Sequence, residues 1–86
     1  MPRYHLEIND GDIKKLNERE LTLLIKVTSQ EGDNCKVSLK IEKEKDGFKW
    51  VPQDFSGNCS NVQKDFEKIM NAPPTVNRLK QIVRRT

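Results

Sequence analysis

The chain has 86 residues and a mass of 10.0 kDa, with 34% hydrophobic and 34% charged residues, which suits one small domain and excludes a second independent core. Its longest apolar run is Leu23-Leu24-Ile25, so we expect no transmembrane helix and no membrane partner. The 16 basic and 13 acidic residues give a formal net charge of +3.

The excess of positive charge lies at the C-terminal end of the chain. Residues 72–86 contain four basic residues and no acidic one, whereas the preceding residues carry a net charge of −1. Cations near the end of a helix complement the negative end of its dipole, which is the ordinary reason for such a segment. A concentrated positive charge also attracts nucleic-acid phosphates or an acidic protein surface.

The first predicted element is a strand over residues 3–9, in which Tyr4, Leu6 and Ile8 alternate with polar residues. Asp12 is expected to cap a short helix that runs to about residue 20. Residues 21–29 alternate and are rich in β-branched side chains, which favours a strand, although residues 12–29 also fit one longer helix. The strand is a candidate sheet edge that could pair with another chain.

The sequence then predicts a β-hairpin from residues 35–44 and 48–53. Apolar and polar residues alternate in both segments, and Asp46-Gly47 between them is typical of a type I′ turn. A two-residue turn at 46–47 pairs position 45 with 48, 43 with 50 and 41 with 52. This register places Phe48 and Trp50 on the same face as the apolar residues of the preceding strand.

Two helices are predicted after a loop over residues 53–59. Ser60 and Gln63 match a capping box at the start of a helix over residues 60–71, which the following Ala72-Pro73-Pro74 ends. Thr75 is expected to cap the last helix, which is amphipathic and basic.

These elements predict a single α+β domain, in which a small antiparallel meander sheet is packed on one face by C-terminal helices. The apolar face of the sheet must be covered by the apolar stripes of the helices, so Trp50 is expected to point toward Phe66 and Ile69. The domain spans residues 1–86 and ends in the basic amphipathic helix of residues 75–86. The expected strands are residues 3–9, 21–29, 35–44 and 48–53, and the expected helices are 60–71 and 75–85.

No pattern predicts a catalytic, metal or cofactor site, so we expect a protein without enzymatic activity. The one histidine, His5, lies on the polar side of a short strand, and Cys35 and Cys59 stand at no metal-ligand spacing. Without a secretory leader, both cysteines are expected to be reduced thiols of an intracellular protein, with a disulfide as the alternative. Cys35 then packs in the core, and Cys59, ahead of a helix, is the better candidate for a reactive thiol.

The remaining features favour a protein–protein interaction or regulatory module, whose partner is another protein or a second copy of this chain. Leu24 and Val51 are apolar positions on the polar face of the sheet, and Val76 and Leu79 lie on the apolar side of the last helix. No motif is specific enough to indicate a family.

Nucleic-acid binding is the alternative function. It would use lysines of the polar sheet face and basic residues of the last helix, namely Lys26, Lys36, Lys40, Lys49, Arg78, Lys80, Arg84 and Arg85. Proteins that bind single strands usually add exposed aromatic residues on which bases stack. Phe48 and Trp50 are expected to face inward, so the sequence predicts no exposed aromatic surface for base stacking.

Overall fold

The computed structural model describes residues 3–86, which form one antiparallel sheet and three C-terminal helices. The strands are β1 (Tyr4–Ile8), β2 (Lys14–Lys15), β3 (Glu20–Ser29), β4 (Asn34–Glu44) and β5 (Gly47–Asn58). The helices are α1 (Ser60–Lys64), α2 (Phe66–Asn71) and α3 (Pro73–Arg85), and a short 3-10 helix occupies Asp10–Asp12. The predicted α+β class is therefore confirmed.

The strand order is β1-β3-β4-β5, and the two-residue strand β2 pairs with β3 beside β1. All of these pairs are antiparallel. Because β3 lies between β1 and β4, it is an interior strand, and the expectation that residues 21–29 form a sheet edge is wrong. The outer strands are β1 and β2 on one side of the sheet and β5 on the other.

The short helix expected from Asp12 to about residue 20 is absent, and β2 takes its place. The side chain of Asn17 accepts hydrogen bonds from the backbone N–H groups of Arg19 and Glu20, each at 2.9 Å. Such a local bond to the backbone stabilises a turn in competition with a helix. The turn reverses the chain, so β2 pairs with the start of β3.

The predicted hairpin is formed by β4 and β5, but its register differs from the expected one by two residues. Ile41 lies opposite Trp50 rather than residue 52, and Glu44 lies opposite Gly47. The turn is therefore made by residues 45–46, neither of which has a positive φ, so the type I′ geometry is not used. Because the difference is an even number, Trp50 stays on the predicted face.

Strand β5 continues to Asn58, although a loop was expected from residue 53. Pro52 and Asp54 lie opposite consecutive residues of β4, so Gln53 is an extra residue in a β-bulge. A bulge reverses the alternation of side chains. Phe55 thereby returns to the inner face of the sheet and packs against the core.

The helix predicted over residues 60–71 is divided at Asp65 into α1 and α2, and the expected capping box is not formed. The N-cap position is taken by Cys59, whose side chain makes no capping hydrogen bond. The predicted end at residue 71 is confirmed. Helix α3 begins at Pro73, so Thr75 lies in its first turn instead of capping it. Proline suits a helix start because its φ is already helical and its missing N–H would be unpaired there.

The core lies between the inner face of the sheet and the helices. The indole of Trp50 meets the ring of Phe66 edge to face, with centroids 5.4 Å apart, and Phe55 contacts the same ring at 5.2 Å. Ile69 belongs to the same core and lies toward β1. The predicted direction of Trp50 toward Phe66 is therefore confirmed.

Cys35 and Cys59 form a disulfide that joins β4 to the residue before α1, with Cα atoms 4.9 Å apart. The expectation of reduced thiols is wrong, and Cys59, the better candidate of the two for reactivity, has no free thiol; the burial of Cys35 is confirmed. Gly57 lies opposite Cys35 with a φ of 89°. A Cβ atom at Gly57 would collide with the backbone carbonyl of Asn34, so glycine is required at this close approach.

Candidate functional site

A groove of about 710 Å³ runs between β1 and the junction of α2 with α3. Its walls are mostly apolar, and charged groups stand among them. The lining residues from the strand are Tyr4, His5, Leu6 and Ile8. Those from the helical side are Asp65, Lys68, Ile69, Ala72, Pro74, Thr75 and Arg78. We call this feature the β1 groove.

The hydroxyl of Tyr4 in the β1 groove is held by the turn between α1 and α2. It donates a hydrogen bond to Oδ2 of Asp65 at 2.7 Å and lies 3.2 Å from the carbonyl oxygen of Asn61. Burial of the phenol, and after it the hydrogen bond to Asp65, raises the pKa of Tyr4 to about 12. The hydroxyl therefore stays protonated at neutral pH and engages the acidic residue of the lining.

Arg78 of α3 contacts the C-terminal end of β1. Its Nη2 atom lies 3.5 Å from the carbonyl oxygen of Ile8 and 3.6 Å from Oδ1 of Asp10. The side chain of Asp10 is 75% exposed, so solvent screens this ion pair and makes it weak. The guanidinium has five N–H donors in total, which leaves most of them free to bind a further acceptor.

The hydrogen-bond pattern between β1 and β3 follows from one contact just before the strand. The N–H of Gln30 donates to the carbonyl oxygen of Arg3 at 3.3 Å, and these two residues continue the register of the ladder. In an antiparallel pair, opposed residues alternate between those that exchange hydrogen bonds and those that do not. His5 and Glu7 therefore direct their backbone groups toward β3.

The backbone groups of the other three residues of β1 face away from β3. Tyr4, Leu6 and Ile8 occupy the alternate positions, and the contact from Arg78 to the Ile8 carbonyl agrees with this direction. Among residues 3–86, no strand pairs with this side of β1. A free strand edge thus borders the apolar β1 groove.

The four residues predicted to contact a partner do not form one surface. Leu24 on β3 and Val51 on β5 point outward, but β4 lies between them, and Lys40 of that strand is the direct neighbour of Val51. Val51 is 41% exposed and Leu24 is half-buried. Val76 and Leu79 lie on α3, across the sheet from them.

Leu79 is fully buried within the core, with 0% of its surface exposed, so it cannot contribute to a surface patch in this structure. The side of α3 that sequence periodicity marked as apolar packs on the sheet of the same chain. Val76 is half-buried. The predicted partner surface on this helix is therefore reduced to residues outside its buried stripe.

The residues of the nucleic-acid alternative are divided between the two layers of the domain. Its lysines lie on the outer face of the sheet, whereas its other members lie on α3, which covers the inner face. The members on the sheet are Lys26, Lys36, Lys40 and Lys49, and those on α3 are Arg78, Lys80, Arg84 and Arg85.

Acidic residues also alternate with the lysines of the outer face. Lys40 forms ion pairs with Glu20 and Glu42, and hydrogen bonding between Lys40 and Glu20 lowers the pKa of Glu20 and raises that of Lys40. Glu7 lies opposite Lys26. All five aromatic residues belong to or pack against the core.

The strand of β1 is predictable from the sequence, but the β1 groove is not. The alternation of Tyr4, Leu6 and Ile8 showed which side of the strand is apolar. It does not show that α2 and α3 leave a groove beside that strand. The hydrogen bonds that join β1 to the helical side connect residues more than 55 positions apart in the chain.

Comparison with known proteins finds no family model, no curated protein and no solved structure that matches this chain. Within the described residues 3–86, no helix is both long and apolar enough to cross a membrane. Over the same residues, no group of three or more histidine, cysteine, aspartate or glutamate side chains is arranged to hold a metal ion.

Proposed function

We propose that this domain is a non-catalytic interaction module that binds an extended segment of another protein in the β1 groove. The observation that carries the proposal is the free edge of β1 beside apolar walls. A peptide that adds a strand to such an edge gains main-chain hydrogen bonds, and pockets for alternate side chains give it specificity.

The length of β1 sets the size of the bound segment. Its five residues extend over roughly 13 Å at the usual rise of an antiparallel strand, so four or five residues of a peptide would pair with it. The outward N–H and C=O groups of Leu6 lie at the middle of this edge. They would exchange two hydrogen bonds with one residue of the peptide.

The outer strand on the other side of the sheet, β5, is protected against such pairing. Pro52 has no N–H to donate, and the bulge at Gln53 interrupts the regular edge. Proline and bulges are common means by which natural sheets prevent pairing with other chains. The edge of β1 has neither device, and this contrast supports β1 as the binding edge.

Nucleic-acid binding receives less support from the arrangement of charges. The lysines and the C-terminal arginines lie in different layers, and acidic residues stand between the lysines. A second copy of the chain remains the alternative partner, and it would also use the edge of β1.

The disulfide bears on the compartment in which the domain works. Disulfides persist in oxidising compartments and are rare in the reducing cytosol. An intracellular location is the expectation from the lack of a secretory pattern, and reduced thiols follow from that location, so the bond between Cys35 and Cys59 argues against it. We therefore favour an oxidising compartment.

The test is selection of displayed random seven-residue peptides on the immobilised domain. We expect the wild-type protein to enrich peptides, and Leu6→Pro to enrich none, because proline removes the outward N–H at the centre of the edge. The variant should fold, since this N–H does not bond β3. The fluorescence of Trp50 checks folding.

The matched control is Leu24→Lys, on the opposite face of the sheet, which should select the same peptides as the wild type. Failure of the wild type to enrich any peptide would overturn the proposed function. Binding of DNA or RNA at low salt, weakened when residues 75–86 are removed, would favour the nucleic-acid alternative instead.

A further inference from the structure

We infer that the β1 groove is specific for an extended peptide that carries an acidic side chain two residues from an apolar one. The apolar side chain would lie opposite Leu6, and the carboxylate would lie opposite Ile8, where Arg78 binds it. This inference rests on the proposed function and adds the chemistry of the partner.

The apolar position follows from the geometry of strand pairing. Side chains of directly opposed residues point to the same face of a sheet. Leu6 points to the inner face and lines the β1 groove together with Ile69 and Pro74 from the helices. A peptide residue opposite Leu6 therefore places its side chain between apolar walls.

The acidic position follows from the charges along the groove. Asp65 is the acidic residue among the lining groups, and the hydroxyl of Tyr4 already bonds it. The lining also contains two cations, Lys68 and Arg78, and the acid that pairs with Arg78, Asp10, stands outside the lining and is 75% exposed. Because solvent screens the pair with Asp10, a peptide carboxylate that lies inside the groove would be the better partner for a lining cation.

Arg78 is the cation whose position relative to the edge is fixed. Its guanidinium reaches the carbonyl oxygen of Ile8, which also faces the free edge, so it stands beside the place of the opposed peptide residue. Its present acidic neighbour, Asp10, is exposed and 3.6 Å away. A peptide carboxylate could bond the guanidinium through two parallel hydrogen bonds, which is the stronger arrangement.

A second copy of this chain would not supply that carboxylate. The inward side chains of β1 are Tyr4, Leu6 and Ile8, whereas Glu7 points to the outer face. A pair of β1 strands would therefore place no acidic group on the inner side, where Arg78 stands. The charge of the groove favours a separate peptide over self-association.

The experiment compares two synthetic peptides of seven residues by fluorescence anisotropy. Both alternate valine with threonine, and one of them carries glutamate two residues from the central valine, on the same side of the strand, where the other carries glutamine. We expect the glutamate peptide to bind wild-type protein about tenfold more tightly, as a paired charge provides. Arg78→Gln should abolish this difference, because it removes the group that recognises the carboxylate.

Two controls keep the result specific. Lys80→Gln removes an exposed cation of α3 that does not line the groove, and it should leave the tenfold preference unchanged. A peptide with glutamate moved by one residue points its carboxylate to the outer face and should bind like the glutamine peptide.

Equal binding of both peptides by the wild type would overturn the acidic specificity. If Leu6→Pro abolished that equal binding, the proposed function would stand without the acidic specificity. No binding of either peptide, together with no enrichment from the displayed library, would overturn both. Sedimentation equilibrium tests the other partner. If the wild type were a dimer and Leu6→Pro a monomer, the partner at this edge would be a second copy of the chain and not a peptide.

Discussion

The carboxylate of Asp33 accepts a hydrogen bond from the backbone N–H of Val62 at 2.9 Å, so a turn between two strands caps a helix 29 residues further along the chain. The same carboxylate accepts bonds from the N–H and the side-chain amide of Asn61, both at 2.8 Å. Together with the disulfide, these bonds attach the start of α1 to the sheet. The β1 groove depends on this attachment, because α2 and α3 follow directly.

Replacement of Asp33 by Asn should alter the pH dependence of stability. Burial alone would raise the pKa of Asp33, but the hydrogen bonds from Val62 and Asn61 outweigh it, so the pKa lies below its ordinary value. A lowered pKa contributes stability above the unfolded-state value of about 3.9, and this is lost as the pH falls toward the folded-state value.

Urea denaturation of both proteins at several pH values measures the effect of Asp33. We expect Asp33→Asn to have a lower urea midpoint at pH 7 and to lose less stability than the wild type below about pH 4. Parallel curves for the two proteins over the whole range would show that the carboxylate does not act as the helix cap.

Removal of the disulfide should lower the free energy of unfolding by about 3 kcal/mol. Cys35 and Cys59 are 24 residues apart, and closing a loop of that length restricts the unfolded chain by roughly this amount. The measurement is urea denaturation of the doubly substituted protein, Cys35→Ala with Cys59→Ala. As a direct check, the denatured wild type should show no free thiol before reduction, and two titratable thiols there would refute the bond.

Alanine at Gly57 should destabilise the domain, whereas alanine at Gly11 should not. Gly57 has a φ of 89°, and an added Cβ atom would collide with the carbonyl of Asn34. Strain of this kind costs about 1–3 kcal/mol. Gly11 has open space around an added Cβ atom, so it is the matched control. Equal unfolding free energies for the two variants, measured by thermal or urea denaturation, would contradict the close approach of β5 to β4.

The single tyrosine allows the β1 groove to be titrated directly. The folded-state pKa of Tyr4 is raised to about 12, so the stability it contributes is present below its ordinary value near 10 and is lost as the pH rises toward 12. Asp65→Asn should lower the pKa of Tyr4 only in part, since burial is the larger cause. Ultraviolet absorbance of the phenolate measures this, and an ordinary pKa in the wild type would show that the hydroxyl is solvated.

Local sequence patterns were sufficient to predict the layers of the fold. Alternation in β3 and β4 and the helical spacing of Phe66 and Ile69 each identified one apolar side, and two apolar sides have to meet. The face of Trp50 followed as well, because an even displacement of the register leaves each side chain on its own face.

Some errors were local, such as the turn at Asn17 and the start of α3 at Pro73, but three features depend on partners distant in sequence. The cap of α1 comes from Asp33, and Ser60, which the local pattern favoured, does not provide it. The pairing of Cys35 with Cys59 depends on how β4 and α1 meet. The β1 groove likewise exists only where separate segments leave space. None of these contacts leaves a periodic pattern in the chain, which is why sequence periodicity could not reveal them.

Residue-resolved amide hydrogen exchange tests the free edge of β1 most directly. We predict that in the isolated domain the N–H of Glu7, which bonds β3, exchanges slowly, whereas the N–H of Leu6, which faces the β1 groove, exchanges rapidly. Addition of a selected peptide should slow the exchange of Leu6 and leave that of Glu7 nearly unchanged. Slow exchange of Leu6 in the monomeric domain without peptide would show that the edge is already occupied and would contradict the account.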